Sequence, residues 1–365
     1  MSRVVGIDPG TLSFDLCGLD NGHLFLDTTI ATTDVSSQPQ ILIDALNEVR
    51  PLDLVIAPSG YGLPWVTPND FGEKEYFLLA LADEREQHRS SSGIGGLRAL
   101  VTALQATGLP LMFMPGVIHL ATVPAFRKAN KIDMGTADKL CCAVLGVFDQ
   151  ARHFGLAYDE TSFIYVELGG AFTAVLAVER GQVVDGLGGS SGAPGYSALG
   201  AMDGELAYLL GEFHKSELFS GGVSSMTGRP RLPLAEAVAG WEQDPALGRA
   251  WEAFFEGVTK VVAAEMTVVP EPREILLSGR LARLPAIRQK VAERLSRLAP
   301  VRQIASLAQT AKEAAQGAAL IADGLTGGQF EPLIKTMRLR EAGGTVLDHL
   351  YVASGETLKQ KYLSY

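Results

Sequence analysis

The sequence is short of cysteine and has no long apolar run, and each shortage excludes a class of protein. Its 365 residues include three cysteines, Cys17, Cys141 and Cys142, with no Cys-x-x-Cys spacing. An odd count with an adjacent pair excludes a disulfide framework and favours a reducing compartment. No apolar stretch reaches the roughly 18 residues of a membrane-spanning helix, and the chain opens directly on a strand pattern. We therefore expect a cytoplasmic protein with no membrane partner.

Basic residues are also scarce relative to acidic ones. The chain has 31 Lys and Arg against 41 Asp and Glu, a net charge of −10. Nucleic-acid binding needs a basic face, so we expect no nucleic-acid partner. The six histidines lie far apart and show no metal-ligand spacing. With 47% hydrophobic and 20% charged residues, the composition is typical of a globular protein with room for two domains.

What is present is a repeated order of secondary-structure patterns. The first half has three strand patterns, a helix pattern and a fourth strand, at 3–8, 14–19, 23–28, 38–49 and 53–57. Three strand patterns return in the same order at 162–168, 172–178 and 182–187. The repeat predicts an α/β fold of two duplicated domains with mixed sheets flanked by helices. We place them at 1–155 and 156–328, with a C-terminal helical segment, 329–365, packing on the first domain.

A carboxylate and a glycine follow the first strand, in the turn Asp8-Pro9-Gly10-Thr11. Gly10 allows a tight backbone path whose amides can approach a phosphate, and the Thr11 hydroxyl can add a hydrogen bond. Asp8 can hold Mg²⁺ through water, because that ion keeps much of its hydration. Taken alone, this short motif is better explained as an ordinary hairpin turn.

A similar turn, Glu167-Leu168-Gly169-Gly170, ends the first strand of the second half. Two turns of this kind at matching places favour phosphate binding by Gly169 and Gly170. Glu167 is then a second candidate metal ligand.

Two further glycine motifs follow strands in the second half. Ser278 and Gly279 come after the strand pattern 274–277, where a glycine lets a nucleoside lie against the backbone. The stretch 188–195 is dominated by glycine and serine and includes Gly189, a candidate cofactor contact. A flexible linker is the alternative interpretation of this stretch.

The segment Thr136-Ala137-Asp138-Lys139 begins a long helix pattern over 136–154. Thr136 is a candidate N-cap, and Asp138 in the first turn interacts well with the helix dipole. The functional alternative places Asp138 beside the transferred phosphoryl group, as a base or as a ligand of metal-bound water. Lys139 can then contact phosphate.

In their order, these motifs resemble the superfamily of acetate kinases, sugar kinases, heat-shock chaperone ATPases and actin. The resemblance runs from Val4 to about Gly324. The segments 58–64 and 135–139 are similar to a family labelled predicted butyrate kinases. The resemblance implies two ribonuclease H-like domains with ATP and Mg²⁺ in the cleft between them. Superfamily relatives often pair, so a homodimer is a further expectation.

The resemblance also implies roles for residues. It places Asp8, Gly10 and Thr11 at the first phosphate loop, Glu167, Gly169 and Gly170 at the second, and Ser278 and Gly279 beside the adenosine. Acetate kinases have Asn where this sequence has Asp8, and their substrate arginines and histidine are not matched here.

The identity of the acceptor separates the functional alternatives. A carboxylate acceptor is already nucleophilic and needs cations, for which Arg89, ahead of a serine-rich loop, is the candidate. An alcohol acceptor needs a base, for which Asp138 is the candidate. The first expectation is an ATP-dependent kinase of a short-chain carboxylate. The alternatives are a hydroxyl kinase, an actin-like or chaperone-like ATPase, and a nucleotide-binding regulatory protein without catalysis.

Overall fold

A computed structural model describes residues 1–10, 12–57, 59–82, 94–229 and 232–363 of the chain. The chain forms two compact units. Unit 1 consists of Met1–Ile132, Thr136–Tyr158 and Ala305–Tyr365, and unit 2 of Asp133–Gly135 and Asp159–Ile304. The sequence-based boundary at 328 differs from this division, because residues 305–328 group with unit 1 through a helix that packs on its sheet.

The sheet of unit 1 has five strands in the order β3-β2-β1-β4-β5. They are β1 (Arg3–Pro9), β2 (Ser13–Asp20), β3 (His23–Ala31), β4 (Leu54–Ile56) and β5 (Leu111–Met112). The pairs β1–β2 and β2–β3 are antiparallel, whereas β1–β4 and β4–β5 are parallel. Asn21 and Gly22 link β2 to β3 with φ values of 49° and 79°, as an Asn-Gly hairpin turn requires.

The sheet of unit 2 repeats this topology with the order β10-β9-β6-β7-β8. Its strands are β6 (Ser162–Leu168), β7 (Thr173–Glu179), β8 (Gln182–Leu187), β9 (Glu274–Ser278) and β10 (Val301–Gln303). Again the first three strands form an antiparallel meander, β9 adds in parallel to its first strand, and β10 adds in parallel to β9. The predicted duplicated α/β fold of ribonuclease H-like domains is therefore confirmed.

Helices cover the sheets of both units. Those of unit 1 are α1 (Thr32–Ser37), α2 (Gln40–Glu48), α3 (Glu73–Ala80), α4 (Ile94–Gln105), α5 (Ala125–Lys128), α6 (Ala137–Phe154), α12 (Glu313–Leu325), α13 (Glu331–Thr336) and α14 (Gly355–Leu363). Those of unit 2 are α7 (Gly204–Leu210), α8 (Val223–Met226), α9 (Leu234–Ala239), α10 (Pro245–Glu265) and α11 (Pro285–Leu295). Across the described part of the chain, none of the helices combines the length and the apolar character needed to span a membrane.

Helix α12 occupies the centre of unit 1 and contacts β1, β2 and α6. The close approach depends on small residues. A methyl group on Gly6 of β1 would lie 2.4 Å from the Ala315 carbonyl oxygen, and one on Gly317 would lie 1.9 Å from that of Cys141 in α6. Glycine at these two positions thus lets the strand and the two helices meet. This contact places the start of α12 near the end of β1.

Candidate functional site

The turn after β1 brings acidic and basic side chains together. Asp8 is 8% exposed, and its backbone pairs with that of Asp15 on β2. A side chain on Gly10 would lie 2.8 Å from the Ser13 carbonyl oxygen, so the turn is too tight for a larger residue. Thr11 lies outside the described residues. The turn therefore places the predicted Asp8 and Gly10 side by side at the end of β1.

Lys312 also lies at this turn, and the sequence analysis missed it. Its Nζ donates to Asp15 Oδ2 at 2.8 Å and to Ser13 Oγ at 2.5 Å. The segment before α12 is fixed because the backbone amides of Gln309, Thr310 and Ala311 all donate to the Asp27 carboxylate of β3. Lys312 is 297 residues from Asp15 in sequence, so no local pattern signals their pairing.

Asp138 lies in the first turn of α6, in the same unit. Its two oxygens accept hydrogen bonds from Thr136 Oγ1 and from Lys139 Nζ. Thr136 takes the N-cap position, as expected, but no side-chain cap bond forms, and its hydroxyl binds the Asp138 carboxylate. The amide of Ala137 donates to the Gly60 carbonyl oxygen at 3.0 Å, which fixes the start of the helix. The Asp138 carboxylate is thus fixed by hydrogen bonds from Thr136 and Lys139.

The pKa values of Asp8 and Asp138 are shifted in opposite directions. Burial, reinforced by the negative charge of Asp138, raises the pKa of Asp8 to about 8. Burial also opposes ionisation of Asp138, but the ion pair with Lys139 and the hydrogen bonds outweigh it, so the pKa of Asp138 lies below its usual value. Ionisation of Asp8 in the folded protein therefore costs free energy, and a nearby cation would reduce that cost.

In unit 2, the second predicted turn and the Ser-Gly motif lie next to each other. Glu167 is the parallel-sheet partner of Ser278, because β6 pairs with β9. A side chain on Gly279, which has a φ of +91°, would lie 2.6 Å from the Leu168 carbonyl oxygen. Ser278 is buried, with its hydroxyl 2.5 Å from that of Tyr165. Gly169 continues the turn, its amide donating to the Phe172 carbonyl oxygen at 2.9 Å.

Gly170 faces Arg280, a basic residue that the sequence analysis did not select. A side chain on Gly170 would lie 3.4 Å from the Arg280 Cδ. Four of the predicted positions of this unit, Gly169, Gly170, Ser278 and Gly279, are therefore neighbours, with a guanidinium beside them.

The glycine-rich loop at 188–195 is fastened by Asp133, which the sequence analysis also missed. The Asp133 carboxylate accepts hydrogen bonds from the Ser190 amide and hydroxyl, each at 2.9 Å, and its carbonyl oxygen accepts one from Ser191 Oγ at 2.6 Å. A side chain on Gly188 would lie 1.7 Å from Asp133 Oδ1. Gly189 is buried against the Phe172 ring. Asp133 thus fixes the start of this loop through its carboxylate and its carbonyl oxygen.

Asp133→Ala is expected to loosen this loop. Removing the carboxylate deletes the bonds from Ser190, and we expect the free energy of unfolding to fall by about 1–3 kcal/mol. Hydrogen exchange, measured peptide by peptide, should accelerate over residues 188–191. Asp159→Ala, at an exposed aspartate of unit 2, is the control and should leave both quantities unchanged. Unchanged exchange in the Asp133 variant would contradict the fastening role.

A complete metal site built from protein side chains is absent from the described residues: no group of three or more His, Cys, Asp or Glu is placed to hold an ion. That agrees with Mg²⁺ chemistry, since this ion usually takes one or two carboxylates and completes its shell with water and substrate phosphates. Asp8 fits such a role because it is buried and its ionised form needs a cation. Arg89, the predicted acceptor-binding cation, lies outside the described residues.

Solved structures with a similar fold include three carboxylate kinases. A propionate kinase from Francisella tularensis matches with a TM-score of 0.61 and 14% identity, covering 87% of this chain and 99% of that one. An acetate kinase from Porphyromonas gingivalis matches with a TM-score of 0.58 and 13% identity, covering 82% and 88%. An acetate kinase from Entamoeba histolytica matches with a TM-score of 0.56 and 10% identity, covering 81% and 87%. At these identities the similarity establishes the fold.

Sequence comparison identifies the family of the chain but assigns no activity to it. No curated protein sequence matches the chain. The model of one family, described as "Protein of unknown function (DUF1464)", matches residues 6–352. Since that range is nearly the whole chain, the protein belongs to the DUF1464 family.

Proposed function

We propose that this protein is an ATP-dependent kinase that phosphorylates a short-chain carboxylate. The observation that carries the proposal is the cluster at the end of β1, where Asp8 and Gly10 meet Lys312. Asp138 and Lys139 act on the same buried carboxylate through their charges. The fold shared with propionate and acetate kinases supports phosphoryl transfer as the activity.

Phosphoryl transfer depends on positioning and on neutralising charge, and the cluster is suited to both. The Gly10 amide and the Lys312 ammonium can hold phosphate oxygens. Mg²⁺ bound with ATP supplies further positive charge at the phosphates, and Asp8 would orient it through water. Lys139 keeps Asp138 ionised and in place. In unit 2, Gly169, Gly170 and Gly279 are proposed nucleotide contacts and Glu167 a second metal contact.

The state of Asp138 favours a carboxylate acceptor over an alcohol. Both of its oxygens already accept hydrogen bonds, from Thr136 and Lys139, and its pKa is lowered. A general base works best with a pKa near the working pH, which a lowered carboxyl pKa does not provide. A carboxylate acceptor is itself anionic at neutral pH and needs no base. Among carboxylates, chain length from acetate to butyrate is open to the assay below.

The proposal is tested by ADP release with Mg-ATP and a panel of acceptors. We expect release to depend on acetate, propionate or butyrate, with little response to glycerol or glucose. Release that needs no acceptor would favour an actin-like or chaperone-like ATPase instead. Release only with alcohols would favour the hydroxyl kinase, with Asp138 as its base.

Asp138→Asn separates the two kinase alternatives further. If Asp138 positions cations, we expect kcat with the preferred carboxylate to fall about tenfold, since the amide oxygen of Asn can still accept one of the two hydrogen bonds. A loss of about 1,000-fold or more would indicate that Asp138 takes a proton, in conflict with a carboxylate acceptor. Asp44→Asn, on the exposed face of α2, is the control and should leave kcat unchanged.

A further inference from the structure

Lys312 is the basic side chain most firmly held at the phosphate turn, and nothing in the local sequence assigns it a role. We propose that Lys312 is a phosphate-binding residue that lets the turn hold the polyphosphate of the nucleotide even without a divalent cation. This inference rests on the proposed function, because it takes the Asp8–Ser13 turn as the phosphate site.

The ammonium is placed to reach a ligand. Its hydrogen bonds to Asp15 and Ser13 use two of the three donors that a lysine carries. The Lys312 side chain is 34% exposed, whereas its partner Asp15 is 2% exposed. The ion pair thus buries the carboxylate and leaves the cation at the surface. An anion in the turn can share the ammonium with Asp15 without breaking that pair.

Gly10 places no side chain between this ammonium and Asp8. A Cβ at that position would lie 2.8 Å from the Ser13 carbonyl oxygen, 3.1 Å from Lys312 Nζ and 3.9 Å from Asp8 Oδ2. The backbone at Gly10 therefore has a cation on one side and a carboxylate on the other. A phosphate oxygen that contacts Lys312 beside Gly10 would be repelled by Asp8 unless a cation or proton intervenes.

The position of Lys312 does not depend on a ligand. The amides of 309–311 bind Asp27 on β3, and α12 packs on β1 through Gly6. The ammonium is therefore fixed before a nucleotide arrives, so little ordering is lost on binding. A fixed positive charge close to the phosphates supports binding, while the metal remains necessary for the transfer step.

The test measures ADP and ATP binding by calorimetry, once with EDTA and once with Mg²⁺. We expect the wild-type protein to bind both nucleotides in EDTA. Lys312→Met should weaken binding in EDTA about tenfold, the effect of one charge at roughly 4 Å in a partly exposed site. The loss in Mg²⁺ should be smaller, because the metal supplies charge of its own. Lys312→Arg should restore most of the affinity, since it keeps the charge.

Two controls separate binding from folding. Lys335→Met removes an exposed lysine of α13 that pairs with Glu331, and it should leave nucleotide binding unchanged. The double variant Asp15→Asn with Lys312→Met removes the buried carboxylate that Lys312→Met would strand. We expect it to fold and still to show the tenfold loss in EDTA. Lys312 variants that bind as tightly as wild type in EDTA would overturn the inference.

Failure of the kinase proposal has a different signature. A Lys312-dependent binding of ATP without any acceptor-dependent release of ADP would leave the phosphate contact standing and remove the kinase. Acceptor-dependent release of ADP combined with unchanged nucleotide binding in the Lys312 variants would support the kinase and remove the proposed phosphate contact of Lys312.

Discussion

Asp8→Asn is expected to stabilise the free protein while slowing phosphoryl transfer. The Asp8 carboxyl is buried, and burial together with the charge of Asp138 raises its pKa to about 8. A carboxyl whose pKa is higher in the folded than in the unfolded state loses folding free energy as the pH rises from about 4 to about 8. Asn has the same size and no such penalty. We expect the free energy of unfolding of the variant to rise by about 2 kcal/mol at pH 7, which is less than the full pKa shift of Asp8 would allow. At pH 4 we expect no rise.

The measurement is chemical unfolding at both pH values in metal-free buffer, together with the ADP-release assay. Asp15→Asn is the matched comparison, since Asp15 lies on the paired strand and holds Lys312. That variant should lose stability, so the two substitutions should have opposite signs. A fall in stability for Asp8→Asn at pH 7, or transfer at the wild-type rate, would contradict the role assigned to Asp8.

Gly317→Ala is expected to destabilise the protein strongly, against the usual effect of this substitution. In a helix interior, alanine normally stabilises by about 1 kcal/mol relative to glycine. Gly317 lies inside α12, and an added methyl group would lie 1.9 Å from the Cys141 carbonyl oxygen of α6. Because that oxygen belongs to the backbone, α12 or α6 must shift. We expect a loss of at least about 2 kcal/mol of unfolding free energy.

The same shift should displace the groups around the turn at Asp8 and Gly10, since Lys312 lies at the start of α12 and Asp138 lies in α6. We therefore expect weaker nucleotide binding in Gly317→Ala, measured beside unfolding by denaturant. Gly204→Ala, at the start of α7, is the control, because a methyl group there meets no atom within 4 Å. A Gly317 variant as stable as the wild type would show that α12 and α6 are not in the contact described here.

Local sequence patterns were sufficient to predict the sheets. Alternating apolar residues and the Asn21-Gly22 turn predicted the meander of β1 to β3, and the same pattern predicted the meander of β6 to β8. The division into units was not predictable in the same way. Helix α12 is Ala-rich and follows β10, so proximity in sequence suggested the second domain. Its partners are Gly6 and Cys141, more than 170 residues away in sequence.

The residues of the candidate site also fall into two groups, those that a local sequence pattern predicts and those that depend on contacts between distant parts of the chain. Asp8, Gly10, Glu167 and Gly169 belong to short strand-to-turn motifs, so the sequence alone could select them. Lys312 depends on pairing with Asp15, and no pattern around position 312 identifies a phosphate contact.

Asp133 likewise acquires its role only when the loop at 188–191 folds onto it. The signal that could have identified it is chemical: the donors of a glycine and serine loop that are not satisfied within the loop need an acceptor elsewhere in the chain.

The most direct test of a carboxylate kinase is ³¹P NMR of a reaction containing the protein, Mg-ATP and propionate. We expect an acyl phosphate resonance to grow as the γ-phosphate signal of ATP declines, and we expect it to be absent when propionate is omitted. Formation of inorganic phosphate alone, at a rate independent of propionate, would contradict the proposed activity.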